Sequence, residues 1–159
     1  AFVREPQYLR AAMTLSAAYL QQSEHREPCQ YTPEASHRAR GIELWASLRS
    51  LGRRGLADLI ERNCRFATTF AERFRSAGFE VLNDVLLNQV LVSFGGDQET
   101  TRVIRGVQDD GTCWCGGTQW HGRAAMRISV SSWATTEDDV ERSAAAILKV
   151  AKSAKLSPA

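Results

Sequence analysis

The spacing of the apolar residues changes once along this chain, close to Gly78, and this change limits the folds that the chain can adopt. Before Gly78, apolar residues recur every three, four and seven positions, which predicts helices. The first helix is predicted to begin at Ser36, a break is predicted near Gly52 and Gly55, and Gly78 is suited to end the second helix. The apolar positions are Ile42, Trp45, Leu48 and Leu51, then Leu56, Leu59, Ile60, Ala67, Phe70 and Phe74.

After Gly78 the pattern predicts short strands that alternate with helices. Four strands are predicted, over 79–82, 88–94, 112–116 and 125–131. One helix is predicted over 98–110, and a last helix begins where Thr135 or Thr136 precedes Asp138 or Asp139 at the spacing of a capping box. The predicted order is two helices and then β-β-α-β-β-α. This order is typical of an α+β domain in which helices cover one side of an antiparallel sheet.

The segments before the first long helix are less regular. Residues 1–20 predict a short lead-in that ends at Tyr19-Leu20, and the polar residues 21–35, with two prolines, predict a loop. The predicted organisation is therefore 1–35 with its polar loop, linking helices over 36–78, and a small α+β domain over 79–159. Because the chain opens on Ala1 and not on Met, we expect it to be a piece of a longer protein.

Composition excludes several classes of partner. The 20 basic and 18 acidic residues are interspersed, and a net charge of +2 is too small to indicate a nucleic-acid partner. No apolar run approaches the roughly 20 residues of a membrane span. Four scattered cysteines in 159 residues do not predict a disulfide framework, so we expect a reducing, cytoplasmic location.

The stretch 111–121, "GTCWCGGTQWH", has the residue types of a metal or redox site. Zinc sites need four ligands, and Cys113 and Cys115 have only His121 as a nearby third candidate. Redox pairs usually have two intervening residues before a helix, and here one residue separates the cysteines. We therefore expect no metal site, two reduced, buried and inert cysteines beside a packed Trp114, and a solvated loop histidine.

Three longer segments of the sequence resemble one family. They are "SHRARGIELWASLRSLGRRGL", "NDVLLNQVLVSF" and "GTCWCGGTQWHGRAAMRISVSSWATTEDDV". The spacing of Arg38, Arg40 and Trp45 at a helix start and the strand 126–129 before an acid-capped helix are their most specific features. The chain resembles the C-terminal part of the pyridoxal-phosphate-dependent group II decarboxylases, which include the aromatic-amino-acid, glutamate and tyrosine decarboxylases and their bacterial relatives.

The resemblance implies a fold type I enzyme that releases carbon dioxide from an L-amino acid, assembled as a homodimer. In that family the lysine that binds pyridoxal phosphate precedes the part that this chain resembles. The only lysines here are Lys149, Lys152 and Lys155. We therefore expect the cofactor to be bound by an upstream large domain, with no cofactor-binding residue in this chain, and the chain alone to be inactive.

The resemblance also implies roles for two residues. Arg127 matches the strand arginine that binds a substrate carboxylate in the glutamate decarboxylases, although an arginine on the polar side of a strand is more often solvated or ion-paired. Tyr31 lies in the loop where the family has a tyrosine that protonates the α-carbon, although a tyrosine in such a loop more often has a packing role. Arg38 and Arg40 are expected to hold the linking helix against the large domain or the dimer partner, and His37 to lie at the surface.

Two alternatives remain open at this stage. An aminotransferase or another lyase of the same fold would have a similar small domain and would also use an arginine for a carboxylate. A non-catalytic α+β module that binds a ligand would fit the dispersed charges. A His-Lys pair upstream of this chain would favour the decarboxylase, and the absence of an upstream domain would favour the binding module.

Overall fold

The computed structural model describes residues 3–14, 28–32 and 40–156. The chain divides into two units, residues 1–50 and 51–159, which are described separately. Tyr19-Leu20, the arginine at 38, the histidine at 37 and most of the predicted loop 21–35 lie outside the described residues. The predicted boundaries at 35/36 and 78/79 stay predictions.

The first unit contains two short helices and the start of a long one. Helix α1 covers Pro6–Met13 and has proline at the start, where no intrahelical partner is needed for the missing N–H. A 3₁₀ helix over Pro28–Tyr31 packs against α1. The long helix α2 covers Gly41–Ser76. Part of the predicted loop is therefore helical, and it carries Tyr31.

Helix α2 is interrupted where the sequence predicts a break. Gly52 has φ 61° and ψ −173°, a conformation that is outside the helical region and is readily adopted only by glycine. Gly55, the second predicted breaker, lies within the helix. After the kink, α2 buries one side, formed by Asn63, Phe66, Ala67, Phe70, Ala71 and Phe74.

A Schellman motif ends α2 at the predicted glycine. Gly78 has φ 80°, and its N–H donates to the Arg75 carbonyl at 3.0 Å. The Phe79 N–H donates to the Phe74 carbonyl at 2.9 Å, and both phenyl rings are buried. These two hydrogen bonds are the usual elements of this termination. They direct the chain from the helix into the sheet.

The second unit continues with the predicted β-β-α-β-β-α order. Strands β1 and β2 cover Glu80–Val81 and Gln89–Ser93, and helix α3 covers Asp97–Asp110. Strands β3 and β4 cover Gly116–Trp120 and Arg123–Ser129, and helix α4 covers Glu137–Leu156. The sheet order is β1-β2-β4-β3, and each neighbouring pair is antiparallel. The predicted α+β class and the antiparallel sheet are confirmed.

The position of the third strand differs from the prediction of 112–116. The tight turn at His121-Gly122, where both residues have positive φ (48° and 79°), pairs Trp120 with Arg123. A two-residue hairpin turn of type I′ requires positive φ at both central residues, and the turn sets the register of the strands that it joins. Strand β3 therefore covers the residues just before the turn, and 112–115 form a connection from α3.

One face of the sheet forms the core of the second unit. Val90 and Val92 on β2 and Met126 and Ile128 on β4 are buried against helix residues of the same cluster. The predicted stripe of α4 is confirmed, since its four members, Val140, Ala144, Ile147 and Ala151, are all buried. A screen of the described residues for apolar helices of membrane-spanning length finds none.

The first turn of α4 is closed by a reciprocal cap. The Thr136 hydroxyl accepts a hydrogen bond from the Asp139 N–H at 3.2 Å, and the Asp139 carboxylate accepts from the Thr136 N–H at 3.0 Å and from its hydroxyl at 2.8 Å. These bonds hold the pKa of Asp139 below its ordinary value. A carboxyl group whose pKa is lowered on folding stabilises the fold above its unfolded pKa, and this stabilisation is lost as the pH falls through the folded value. The cap is therefore retained at neutral pH and is lost in acid.

We expect Thr136→Ala to destabilise the first turn of α4 by about 1 kcal/mol, because the capping hydroxyl is lost. Hydrogen exchange of the amides at 137–139 should then accelerate about fivefold. Thr135→Ala, one residue earlier and outside the cap, is the matched control and should leave this exchange unchanged. Equal acceleration in both variants would contradict the assignment of the cap to Thr136.

Candidate functional site

The second face of the sheet carries Arg127. Residues alternate between the two faces of a strand, so Arg127 lies opposite to Met126 and Ile128, which are buried in the core. The register pairs Arg127 with Leu91 on β2 and with Gly116 on β3. Because directly paired residues share a face, these three residues form one row across the second face.

Glycine at 116 leaves space beside Arg127. A Cβ built on Gly116 would meet no heavy atom within 4 Å. Strand β3 is an edge strand, so no further strand of the described sheet follows beyond Gly116. The partly buried Arg127 therefore lies between a buried leucine on one side and an open position on the other.

A second arginine on the same face has a fixed partner. Arg123 donates hydrogen bonds to both carboxylate oxygens of Glu80, at 3.0 and 2.6 Å. Glu80 is on β1 and Arg123 is on β4, and strand β2 lies between these two strands. The ion pair therefore crosses β2, where Ser93 is paired with Glu80; Ser93 on β2 and Ala125 on β4 are both buried. The bond raises the pKa of Arg123 and lowers the pKa of Glu80. Arg123 therefore links two strands of the sheet, whereas Arg127 is expected to bind a substrate carboxylate.

Tyr31, the other predicted site residue, lies at the end of the 3₁₀ helix in the first unit and is partly buried. The preceding residue, Gln30, is 5% exposed, and its Oε1 has no hydrogen-bond partner within the described part of the chain. Tyr31 and Arg127 belong to different units, and each is described within its own unit. The combination of both residues in one site therefore stays a prediction.

A cavity of about 250 Å³ lies in the second unit, and sequence reasoning did not anticipate it. It is bounded by the α3–β3 connection, the end of β4 and the first turns of α4. Its polar lining includes Cys113, Cys115, Ser131, Asp139 and Ser143, while Phe70 and Ile147 are among its apolar members. The serines that follow β4 in the sequence could have indicated a polar site. Only the fold shows that they line the same cavity as the two cysteines.

The two cysteines of this cavity differ from the prediction. Cys115 is buried, but Cys113 is only partly buried, and Trp114 between them is 77% exposed and not packed. The strand that was expected to bury this segment begins only at Gly116. Both cysteines are free thiols. His121 is at the exposed hairpin turn, as predicted, with its ring against Trp120.

The two thiols are joined by a hydrogen bond that separates their pKa values. The pKa of Cys113 is lowered to about 7 by hydrogen bonds from Cys115 and Ser143, against the opposing effects of burial and of Asp110. The pKa of Cys115 is raised, because it is the donor to Cys113 and is buried. No group of three or more potential metal ligands occurs in the described ranges.

Comparisons with known proteins match this fold. The structure of Catharanthus roseus tryptophan decarboxylase in complex with L-tryptophan is similar, with a TM-score of 0.65 and 22% identity over 96% of this chain and 34% of that chain. The structure of Oryza sativa TDC with PLP and tryptamine has a TM-score of 0.65 and 23% identity over 72% of this chain and 27% of that one. A glutamate decarboxylase domain from Vibrio parahaemolyticus has a TM-score of 0.59 and 19% identity, over 70% and 26% of the two chains.

These similarities establish the fold, and the chain spans only about a quarter to a third of the length of the solved structures. A search among curated proteins finds no significant match. The model of the pyridoxal-dependent decarboxylase conserved domain matches residues 1–95 of the 159. The match covers more than half of the chain, from its start into the sheet, and the chain belongs to the pyridoxal-dependent decarboxylase family.

Proposed function

We propose that the full-length protein is a pyridoxal-phosphate-dependent decarboxylase that releases carbon dioxide from an L-amino acid. The observation that carries this proposal is the family match over residues 1–95. The similar structures support it, since they include a tryptophan decarboxylase and the glutamate decarboxylase domain of a diaminobutyrate-pyruvate transaminase and L-2,4-diaminobutyrate decarboxylase. No comparison favours the aminotransferase, the other lyase or the binding module over this function. The amino acid is left open.

The described residues do not fit the covalent attachment of the cofactor. Attachment requires a lysine amine inside a pocket. Lys149 and Lys152 are exposed on α4, and neither lines the 250 Å³ cavity. We therefore place pyridoxal phosphate on a large domain outside this chain, as the short coverage of the similar structures also suggests. This chain alone should be inactive.

Within that enzyme, Arg127 would bind a carboxylate of the substrate. The flanking Met126 and Ile128 are 0% and 6% exposed and anchor the strand in the core, so the arginine backbone is held rigidly. A rigid element loses less conformational entropy on binding than a loop does. The planar guanidinium can donate two parallel hydrogen bonds to a carboxylate, and the open position at Gly116 leaves room for a ligand.

We expect Arg127→Ala in the full-length enzyme to lower kcat/KM for carbon dioxide release roughly ten- to a hundredfold, the effect of losing one charge-assisted contact. Arg127→Lys should recover only part of this loss, because lysine keeps the charge but lacks the planar fork. Amino acids are first screened for carbon dioxide release with the unmodified enzyme, and the variants are then compared on the best substrate.

The matched control is Arg123→Ala, which removes the same side chain from the same strand and face but breaks only the exposed Glu80 pair. It should leave kcat/KM unchanged. Normal kinetics in Arg127→Ala, with normal cofactor content and stability, would contradict a role of Arg127 in substrate binding. Release of carbon dioxide from none of the amino acids would contradict the decarboxylase itself.

Tyr31 would supply the proton that the α-carbon receives after carbon dioxide leaves. Its position at the end of an ordered 3₁₀ helix that packs against α1 supports this role, because a proton donor must be held in place. We expect Tyr31→Phe, which removes only Oη, to lower kcat by roughly 10²- to 10⁴-fold with a smaller change in KM.

Tyr8→Phe is the control for this experiment. Tyr8 lies on α1 in the same unit and is 69% exposed, so removing its hydroxyl should not change kcat. Unchanged turnover in Tyr31→Phe would show that this tyrosine has a packing role only.

The partners that we propose are the upstream large domain, the amino-acid substrate and a second copy of the protein, in a cytoplasmic setting. Ile42, Trp45 and Leu48 near the start of α2 are 78%, 64% and 44% exposed, and apolar surface of this kind favours association. The free thiols of Cys113 and Cys115 fit a reducing compartment.

Sedimentation of the full-length protein should show a homodimer, and a monomer at micromolar concentration would contradict this assembly.

A further inference from the structure

The segment 113–115, between α3 and β3, has chemistry that the proposed function does not use. It contains two free thiols with one residue between them, and both line the 250 Å³ cavity. Each thiol shifts the pKa of the other, as neighbouring groups do. Two free thiols that line one cavity are a potential centre of thiol–disulfide exchange.

The backbone geometry of this segment is compatible with a disulfide. The Cα atoms of residues two apart are separated by at most about 7 Å, and disulfides accept Cα separations of about 4.4–6.8 Å. The Gln108 side chain donates to the Cys115 carbonyl at 2.9 Å and holds that end of the segment against α3. Residues two apart can therefore reach the range of Cα separations that a disulfide accepts.

The two thiols are unequal, as an attacking and a resolving thiol must be. Cys113 is partly buried, so a reagent can reach it, whereas Cys115 is 5% exposed. The pKa of Cys113 is lowered to about 7, so a substantial fraction is thiolate at neutral pH. Its surroundings are Cys115, the Ser143 hydroxyl and Asp110, whose carboxylate opposes the thiolate and is itself near Lys149. Asp139 also lines the cavity, with its carboxylate bonded in the α4 cap.

The cavity provides a route and space for a small reagent. Its lining combines thiols with hydroxyl groups of Ser131, Ser132, Thr135 and Ser143, which can bond polar groups of a bound molecule. Trp114, which also lines it, is 77% exposed and offers a flat apolar surface. This arrangement suits a small polar disulfide better than a large protein partner.

We propose that Cys113 and Cys115 are a modification site at which a low-molecular-weight disulfide oxidises the pair to an intramolecular disulfide. The Cys113 thiolate attacks one sulfur of the reagent, a mixed disulfide forms, and the first reagent thiolate leaves and takes up a proton. Cys115 then loses its proton and attacks the Cys113 sulfur, which expels the second reagent thiolate. Two protein thiols are oxidised to one disulfide, and one reagent disulfide is reduced to two thiols.

The test uses the full-length protein incubated with glutathione disulfide and analysed by peptide mass spectrometry. The unmodified protein should lose two hydrogens from the peptide that contains Cys113 and Cys115. Cys115→Ala removes the resolving thiol and should trap a glutathione adduct on Cys113. Cys113→Ser should give neither product, and Cys64→Ser, which removes a free cysteine on α2, should react as the unmodified protein does.

The rate of alkylation by iodoacetamide tests the inequality of the thiols. At pH 7, Cys113 should react about threefold faster in the unmodified protein than in Cys115→Ala, because its larger thiolate fraction outweighs the lower nucleophilicity of that thiolate. If Cys115→Ala folds poorly, Ser143→Ala takes its place in this measurement. Ser143→Ala removes the other hydrogen-bond donor to Cys113 and should also slow the alkylation of Cys113. Preferential reaction at Cys64, absence of an adduct on Cys113, or equal alkylation rates would overturn the proposal.

Discussion

The pairing of β2 with β4 is the constraint on which the rest of the second unit depends. The register places Val90 opposite Ile128 and Val92 opposite Met126, so these four side chains share the face that the helices bury. A slip of one residue would turn Arg127 into the core and Met126 out of it. Burying an unpaired guanidinium costs several kcal/mol, so the core selects the register strongly.

The same register determines what the second face can do. Arg127 lies on this face because the residues on either side of it in β4 are buried in the core. Arg123, four residues earlier on the same strand, forms an ion pair with Glu80 across β2. The ion pair joins β1 to β4, whereas a Cβ at Gly116, beside Arg127, would meet no heavy atom within 4 Å. The two arginines of this strand thus have different neighbours, and carboxylate binding is proposed for Arg127 from the family resemblance and from its rigid position on the strand.

Most of the fold follows from local patterns in the sequence. The alternation in 125–131, the helical stripe of α4, the cap at Thr136 and the glycine terminator at Gly78 depend on nearby residues, and the structure confirms each of them. The start of β3 depends on the turn at His121-Gly122, which sets the strand register from the other end. The apolar pattern of a short segment does not by itself determine at which residue a strand begins.

The candidate sites were less predictable because they depend on contacts between distant segments. The place of Arg127 on the polar side of its strand follows from alternation, but its proposed ligand comes from the family. The lowered pKa of Cys113 could not be predicted, because it depends first on the hydrogen bond from Cys115, in a segment where a strand was expected. It also depends on the Ser143 hydroxyl, thirty residues away. Trp114 is exposed for the same reason.

The central claim is that the second face of the sheet presents Arg127 to a substrate carboxylate. The most direct measurement is a crystal structure of the full-length protein with a non-reactive amino-acid analogue. The account predicts two carboxylate oxygens at about 2.7–2.9 Å from the Arg127 guanidinium nitrogens, on the side of Gly116. An analogue bound with its carboxylates on other residues, and Arg127 directed to solvent, would contradict it.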